Sequence, residues 1–176
     1  MIKIETASYK THSKAELDEL YRIVIRGYEL TESEIWGDNY IRIFRPEYDL
    51  LIEKGEVLLA KCNGFVVGGI HCYQISKLDF TFSLLATDFD YGGKGIGTAL
   101  IHKVEEIALA KGLESIKMEV LRVKGVNTPS KLRLDSFYRR LGYHYTHSED
   151  CSCKIPSIKY AKLKAQSDFD FYKKVL

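Results

Sequence analysis

The sequence predicts a domain of mixed α/β structure with about seven strands, and three observations lead to this fold class. Several short runs alternate apolar and polar residues at the spacing of strands. Between them lie amphipathic stretches that begin with capping residues. A glycine-rich loop, residues 92–97, separates a strand pattern from a helix pattern. The chain has 176 residues, 45% of them hydrophobic, so one domain with a substantial core is expected.

The N-terminal half is predicted to contain a strand, helices and a hairpin. Ser13–Glu16 is a capping box, in which serine and glutamate bond each other's free N–H groups, and Thr31–Glu34 repeats the pattern. Pro46 fits the first turn of a further helix, which Gly55 would end. Asn63-Gly64 is typical of a hairpin turn. The strands predicted here are Met1 to Tyr9, Glu56 to Ala60 and Phe65 to Ile75.

The C-terminal half is predicted to alternate strands with helices. Gly112 fits the end of one helix, and Ser130 fits the N-cap of the next. The predicted strands are Asp79 to Thr87, Ser115 to Leu121, Tyr143 to Ser148 and Ile158 to Ala165; the helices are Thr98 to Lys111 and the one that contains Tyr138. The predicted order along the chain is therefore β-α-α-β-β-β-α-β-α-β-β.

The loop after the strand Asp79 to Thr87 is the most informative part of the sequence. Four of its six residues, 92–97, are glycine, so few side chains keep an anion from the backbone. The helix that follows offers free N–H groups and the positive end of its dipole. We therefore expect a phosphate or pyrophosphate site, with a tight turn that binds no ligand as the alternative.

Two well-known phosphate loops do not fit these residues. A P-loop has lysine directly before serine or threonine, whereas Lys94 is followed by Gly95. The dinucleotide-binding pattern G-x-G-x-x-G needs a third glycine, and Thr98 occupies that position. The remaining pattern is G-x-G-x-G at the start of an amphipathic helix.

Gly95-Ile96-Gly97 resembles the glycine half of the signature Gln/Arg-x-x-Gly-x-Gly/Ala of the GNAT superfamily of acyl-CoA N-acyltransferases. Ser136–Tyr143 resembles the family's helix end, aromatic-Tyr-x-x-x-Gly-aromatic. The chain departs from the pattern at Gly92, where the family has Gln or Arg, and at Lys131, where it often has Asn. The resemblance implies a central mixed, largely antiparallel sheet flanked by helices and splayed at its two central parallel strands.

The same resemblance implies acetyl-CoA as co-substrate and a place for each part of it. The loop amides would hold the pyrophosphate, and pantetheine would lie between the end of the first parallel strand and Ser115 to Leu121. The amide of Leu85 would be the oxyanion donor, and Tyr138 would protonate the leaving thiolate. A packing tyrosine is the alternative for Tyr138. The implied cofactor-binding residues are Leu85, Ala86, Thr87, Gly92, Gly93, Lys94, Gly95, Ile96, Gly97 and Thr98.

The general base is left open by the sequence. Family members often place a glutamate where this chain has Phe82 and Ser83, and neither is a carboxylate. Strand placement alone offers Asp79, Glu119 and His71 as candidates. A chain of water molecules that leads to bulk solvent is an equal alternative.

Composition narrows the remaining classes of function. The net charge of +2 is too small to indicate nucleic-acid binding by itself, although basic residues between 122 and 140 keep that alternative open. No run of eighteen apolar residues predicts a membrane span, and the N-terminus lacks the apolar segment of a signal peptide. Four cysteines in no disulfide pattern favour a reduced, cytoplasmic protein. No metal is predicted, because four possible ligands are irregularly spaced: His144, His147, Cys151 and Cys153.

Together these observations predict a single N-acetyltransferase domain over residues 1–176, cytoplasmic and monomeric or homodimeric. It would transfer an acetyl group from acetyl-CoA to a primary amine of a small molecule or peptide, by direct attack in a ternary complex. The resemblance implies that the early aromatic residues line the acceptor pocket, with core packing as the alternative: Tyr28, Trp36, Tyr40, Phe44 and Tyr48. An acyl-CoA-binding regulatory module without turnover is the alternative from another class.

Overall fold

The computed structural model describes residues 1–176 and contains one seven-stranded sheet with helices on both faces. The strands are β1 Ile2–Thr6, β2 Val57–Cys62, β3 Phe65–Gln74, β4 Asp79–Thr87, β5 Ser115–Val123, β6 His144–Asp150 and β7 Ser167–Val175. Their order in the sheet is β1-β2-β3-β4-β5-β7-β6. All neighbours are antiparallel except β4 and β5. The predicted fold class is confirmed.

Six helices connect and cover the strands. They are α1 Lys14–Thr31, α2 Ser33–Trp36, α3 Arg45–Glu53, α4 Ile96–Ala110, α5 Pro129–Arg140 and α6 Ser157–Tyr160. A cluster of 12 buried residues packs α1 and α3 against one face of the sheet. A second cluster of 18 buried residues packs α4 and α5 against the other. No helix is both long enough and apolar enough to cross a membrane.

Three segments of the N-terminal half adopt the local structures that their sequence patterns predict. The Ser13 hydroxyl accepts from the Glu16 amide at 3.3 Å, and the Glu16 carboxylate accepts from the Ser13 amide at 2.7 Å. Asn63 and Gly64 both have positive φ, 51° and 85°, as a tight hairpin turn requires. Pro46 lies in the first turn of α3, as predicted. These signals depend on contacts between residues close in sequence, and so the sequence was sufficient.

Three predicted elements were wrong in position or kind. The second capping box does not form, because Thr31 is still in α1 and its hydroxyl donates to the Gly27 carbonyl at 2.8 Å. The segment Ile158 to Ala165 is not a strand: α6 begins directly after Pro156, and the last strand is β7. Thr128, not Ser130, caps α5. Helix α4 also begins two residues earlier than predicted, at Ile96.

The parallel pair at the centre of the sheet is short. β4 and β5 pair only from Asp79–Ser115 to Thr81–Lys117. Beyond these three pairs both strands continue, β4 to Thr87 and β5 to Val123, each bonded only to its outer neighbour. The two strands therefore diverge, as the resemblance implied, and leave a gap in the middle of the sheet.

Gly68 in β3 allows the far end of β4 to approach closely. A Cβ at this position would lie 2.8 Å from the Ala86 carbonyl oxygen and 3.2 Å from Cγ2 of Ile96. We expect Gly68→Ala to lower the free energy of unfolding by about 1–3 kcal/mol, as overpacking does, in urea denaturation of the ligand-free protein. Gly97→Ala is the matched control, because its Cβ would be 3.6 Å from the nearest atom, a Phe137 ring carbon. Equal stability of both variants would contradict the close approach.

Candidate active site

The gap between the diverging strands opens into a cavity of about 990 Å³. Its wall comes from the ends of β4 and β5, from the C-terminal part of α1 and from α5. A volume of this size is at the upper end of what ligand sites usually show. Half of the 30 lining residues are hydrophobic, and the others bring acidic, basic and hydroxyl groups.

A β-bulge shapes the β4 side of this gap. Gly69 pairs with Ala86 and His71 with Ser83, so Leu84 and Leu85 together lie opposite the single residue between Gly69 and His71. Leu84 has φ 50°, in the left-handed region that non-glycine residues rarely adopt. A bulge of this kind bends its strand and changes the direction of the groups that follow.

The last residues of β4 turn the backbone groups of Thr87 toward the gap. The Asp88 amide donates to the Val67 carbonyl at 2.8 Å and therefore points toward β3. Alternate residues of a strand point to the same neighbour, so Ala86 also faces β3 while Thr87 faces away from it. Leu85 lies in the bulge and lines the cavity. Free main-chain groups on this side are what an extended chain, bound like an added strand, would use.

The glycine loop presents six consecutive amides to no acceptor in the protein. The N–H groups of residues 93–98 donate to no carbonyl, whereas the Ala99 amide bonds to Gly95 O at 2.9 Å. Gly93 and Gly95 have φ 73° and 74°, which turns the chain into α4 without strain. The amide of Gly92, predicted to bind the cofactor, is instead bonded to Phe89 O at 3.1 Å.

The surroundings of the loop favour an anion. The ammonium group of Lys94 lies 4.5 Å from the Tyr91 ring centroid and forms no ion pair. Six free amides at the start of a 15-residue helix, with a cation beside them, are an anion-binding arrangement. The side chain of Ile96, by contrast, is buried in the core, so only its amide can contact a ligand.

Tyr138 lies where α5 meets the cavity. Its ring is 5% exposed and packs 6.1 Å from that of Phe82 in β4, centroid to centroid. The hydroxyls of Tyr143 and Tyr172, in the same cluster, donate to carboxylates, whereas the hydroxyl of Tyr138 has no partner in the protein. Burial raises the pKa of Tyr138, with smaller contributions from Tyr28 and Tyr172. The group is therefore a neutral phenol that reaches the cavity with a proton to donate.

Asp79 is far from this end of the strand and has a structural role. It lies at the paired end of β4, where its carboxylate accepts from the Lys117 ammonium at 2.7 Å and from the Ser115 hydroxyl. These bonds lower the pKa of Asp79 to about 2. A carboxylate so fully bonded and so weakly basic does not serve as the base.

Glu119 and His71 both line the cavity. Glu119 is paired with the Lys154 ammonium at 2.8 Å. His71 is 8% exposed and has both ring nitrogens bonded, one to Ser83 and one to Glu56. Sequence reasoning did not find Glu56, because its closeness to His71 depends on strand register, and no local pattern reports it.

Lys131, the position where the family often has asparagine, is a buried cation of the cavity wall. It is 9% exposed and forms no ion pair. Burial lowers the pKa of Lys131, while Glu32 and Glu34 act in the opposite direction. Glu32 is itself bonded by the Trp36 indole N–H at 3.1 Å and lies 3.4 Å from Arg42. Lys131 is thus one of the cations of this wall that have no ionic partner in the protein, together with Arg133, Arg140 and Lys159.

Most of the other residues considered from the sequence lie outside the cavity, although Arg133 and Arg140 of the basic stretch line it. Of the five early aromatic residues, only Tyr28 lines it; Trp36 stacks on Tyr40 at 4.4 Å, and Phe44 is exposed. No group of three or more His, Cys, Asp or Glu side chains is placed to hold a metal ion. Two members of the basic stretch are paired with acids, Arg122 with Asp170 and Arg139 with Asp135.

Solved structures share this fold at low sequence identity. Ard1 from Thermoplasma volcanium superimposes with a TM-score of 0.68 at 16% identity, over 99% of this chain and 97% of that one. A GNAT family acetyltransferase from Elizabethkingia anophelis with acetyl-CoA bound gives 0.66 at 15%, over 99% and 98%. N-acetylglutamate synthase from Neisseria gonorrhoeae, complexed with coenzyme A and N-acetyl-glutamate, gives 0.66 at 15%; the chain matches in full but spans only 35% of that protein.

Sequence comparison gives the family itself. No curated protein matches the chain significantly. The family model described as Acetyltransferase (GNAT) domain matches residues 53–145, which is more than half of the chain and includes the split strands, the glycine loop and Tyr138. The chain belongs to the GNAT acetyltransferase family.

Proposed function

We propose that the protein transfers an acetyl group from acetyl-CoA to a primary amine, by direct attack within a ternary complex. The observation that supports this most strongly is the run of six unbonded amides, residues 93–98, beside a split sheet. A diphosphate at those amides would direct the attached pantetheine arm into the gap between β4 and β5. The acetyl-CoA-bound relative with the same fold supports this choice of donor.

The residues around the gap supply the chemistry that acyl transfer needs. The amide of Leu85, a residue that lines the cavity, would donate to the oxygen on which negative charge develops. Tyr138 would protonate the departing thiolate, because its hydroxyl is neutral and has no other partner. Holding the two substrates together would supply much of the remaining acceleration.

Direct transfer is favoured over an acetylated cysteine. None of the four cysteines lines the cavity. Burial raises the pKa of Cys72 to about 12, so its thiolate, the nucleophilic form, is absent at neutral pH. The predictions of one domain over residues 1–176, a cytoplasmic location and a monomer or homodimer remain predictions.

Two measurements, made one after the other, test the proposal. Calorimetry should detect binding of acetyl-CoA and of free coenzyme A. A panel of small amines, amino acids, aminoglycosides and peptides with free N-termini should then contain an acceptor that releases thiol from acetyl-CoA in steady state. Lack of heat for both nucleotides would contradict the cofactor site. Binding without thiol release from any amine would favour the regulatory module.

A further inference from the structure

Glu56, His71 and Ser83 form a hydrogen-bonded row across three strands. Ser83 Oγ lies 3.0 Å from Nδ1 of His71, and Nε2 of the same ring lies 3.0 Å from Oε2 of Glu56. His71 and Ser83 are direct cross-strand partners, and Val57, next to Glu56, pairs with His71 on its other side. The sheet register therefore holds all three groups in place.

The direction of these hydrogen bonds follows from their chemistry. An ionised carboxylate only accepts, so Nε2 of His71 must carry the proton and donate to Glu56. Nδ1 of the neutral ring then accepts from the Ser83 hydroxyl. Burial lowers the pKa of His71, Lys54 adds to this effect, and Glu56 opposes it. The neutral ring that the row requires is thus the form present at neutral pH.

The row runs from the cavity toward solvent. Ser83 and His71 line the cavity, whereas Glu56 does not and its side chain is 28% exposed. Ser83 is two residues before Leu85, the proposed oxyanion donor. It also occupies one of the two positions where a base was sought from the sequence; the other, Phe82, is buried in the core. The free lone pairs of the Ser83 oxygen can accept an N–H from an amine in the cavity.

We infer that Ser83 and His71 together are the general base of this acetyltransferase and that Glu56 positions the ring; the inference rests on the proposed function. One N–H bond of the bound ammonium form of the acceptor breaks as its proton passes to Ser83 Oγ, and the serine's own proton passes to Nδ1 of His71. The freed nitrogen lone pair attacks the thioester carbon. Glu56 stabilises the imidazolium, as the acid of a Ser-His-acid triad does.

Protons balance over the full cycle. An ammonium acceptor gives its first proton to this row, and the imidazolium returns it through Ser83 to the water that refills the cavity. The second N–H proton, released once the C–N bond has formed, replaces the one that Tyr138 gives to the thiolate. No cysteine, metal or added base is needed.

The pH dependence of kcat/KM tests the row, with the panel amine that the wild type acetylates fastest. Wild-type kcat/KM should become independent of pH above the pKa of His71. His71→Gln should lower kcat at pH 7 by about 10²-fold or more and should move the rising limb of the pH profile toward the pKa of the amine.

Ser83→Ala should lose activity while Ser83→Thr, which keeps the hydroxyl, retains it. The activity of Glu56→Gln should lie between the activities of Ser83→Ala and Ser83→Thr. Acetyl-CoA affinity, measured by calorimetry, should stay the same throughout.

Other results separate the row from the proposed function. A wild-type pH profile in His71→Gln would overturn the row while leaving acetyl transfer intact. Acetylation of Ser83 by acetyl-CoA alone, detected by mass spectrometry, would also overturn it, because the serine would then be a nucleophile. Should the wild type acetylate no panel amine, the proposed function fails, and ¹⁵N NMR of His71 still decides the row: it requires the Nε2–H tautomer, and the Nδ1–H tautomer contradicts it.

Discussion

Gly95→Glu is expected to weaken acetyl-CoA binding by about 10²-fold or more, because like charges brought together cost several kcal/mol. Gly95 is the N-cap of α4, and a Cβ on it would meet no atom within 4 Å. The new side chain would therefore stand in open space beside the free amides of residues 93–98. Its carboxylate would compete for those amides and repel the diphosphate. Calorimetry with acetyl-CoA measures the loss.

Gly95→Gln is the control that separates charge from bulk. Both variants adopt a positive φ of 74°, which costs a side-chain-bearing residue about 1–2 kcal/mol, so both should be destabilised equally in urea. Glutamine lacks the charge and should retain part of the affinity. Full affinity in Gly95→Glu would mean that the diphosphate binds elsewhere.

Tyr138→Phe is expected to lower kcat by about 10²–10⁴-fold, the usual contribution of general acid catalysis, with unchanged affinity for acetyl-CoA. The hydroxyl of Tyr138 has no partner within the protein, so its removal leaves no group unsatisfied and should hardly change stability. The ring would continue to pack against Phe82. Steady-state thiol release and calorimetry on the same preparation separate turnover from binding.

Tyr143→Phe is the matched control in the same aromatic cluster. The Tyr143 hydroxyl donates to Glu105 at 3.1 Å, so this variant should lose about 1 kcal/mol of stability and keep its turnover. An equal kcat in Tyr138→Phe and the wild type would remove the acid role from Tyr138. An equal loss of kcat in both variants would indicate a general effect of the cluster.

Much of the fold could be predicted because its signals are local. The Ser13–Glu16 box, the Asn63-Gly64 turn and the glycine loop each depend on residues within a few positions of one another. The Thr31–Glu34 box failed although its pattern is correct, since α1 continued through Thr31 and used that hydroxyl for a bond to Gly27. The last strand was misplaced because pairing with β5 over nine residues selects Ser167–Val175, a choice that only the assembled sheet determines.

The residues of the site likewise fall into those that sequence patterns predict and those that only the folded sheet brings together. The phosphate loop and Tyr138 were accessible from sequence patterns and family resemblance. The row of Glu56, His71 and Ser83 was not, because its members are 15 and 12 residues apart and meet only through strand register. The bulge at Leu84 contributes to that register, and no local sequence pattern predicts a leucine with positive φ.

The short parallel pairing of β4 with β5 has a consequence for the domain as a whole. Four strands lie on the β4 side of this pairing and three on the β5 side. Only the pairs from Asp79–Ser115 to Thr81–Lys117 join the two parts of the sheet by strand pairing. Past that point β4 and β5 each have an edge that is bonded to no neighbouring strand, and we expect main-chain amides on these edges to exchange hydrogen with water. A pantetheine arm bound along these edges would act as an eighth strand and would connect the two parts of the sheet. The free energy of unfolding would therefore rise with the concentration of acetyl-CoA.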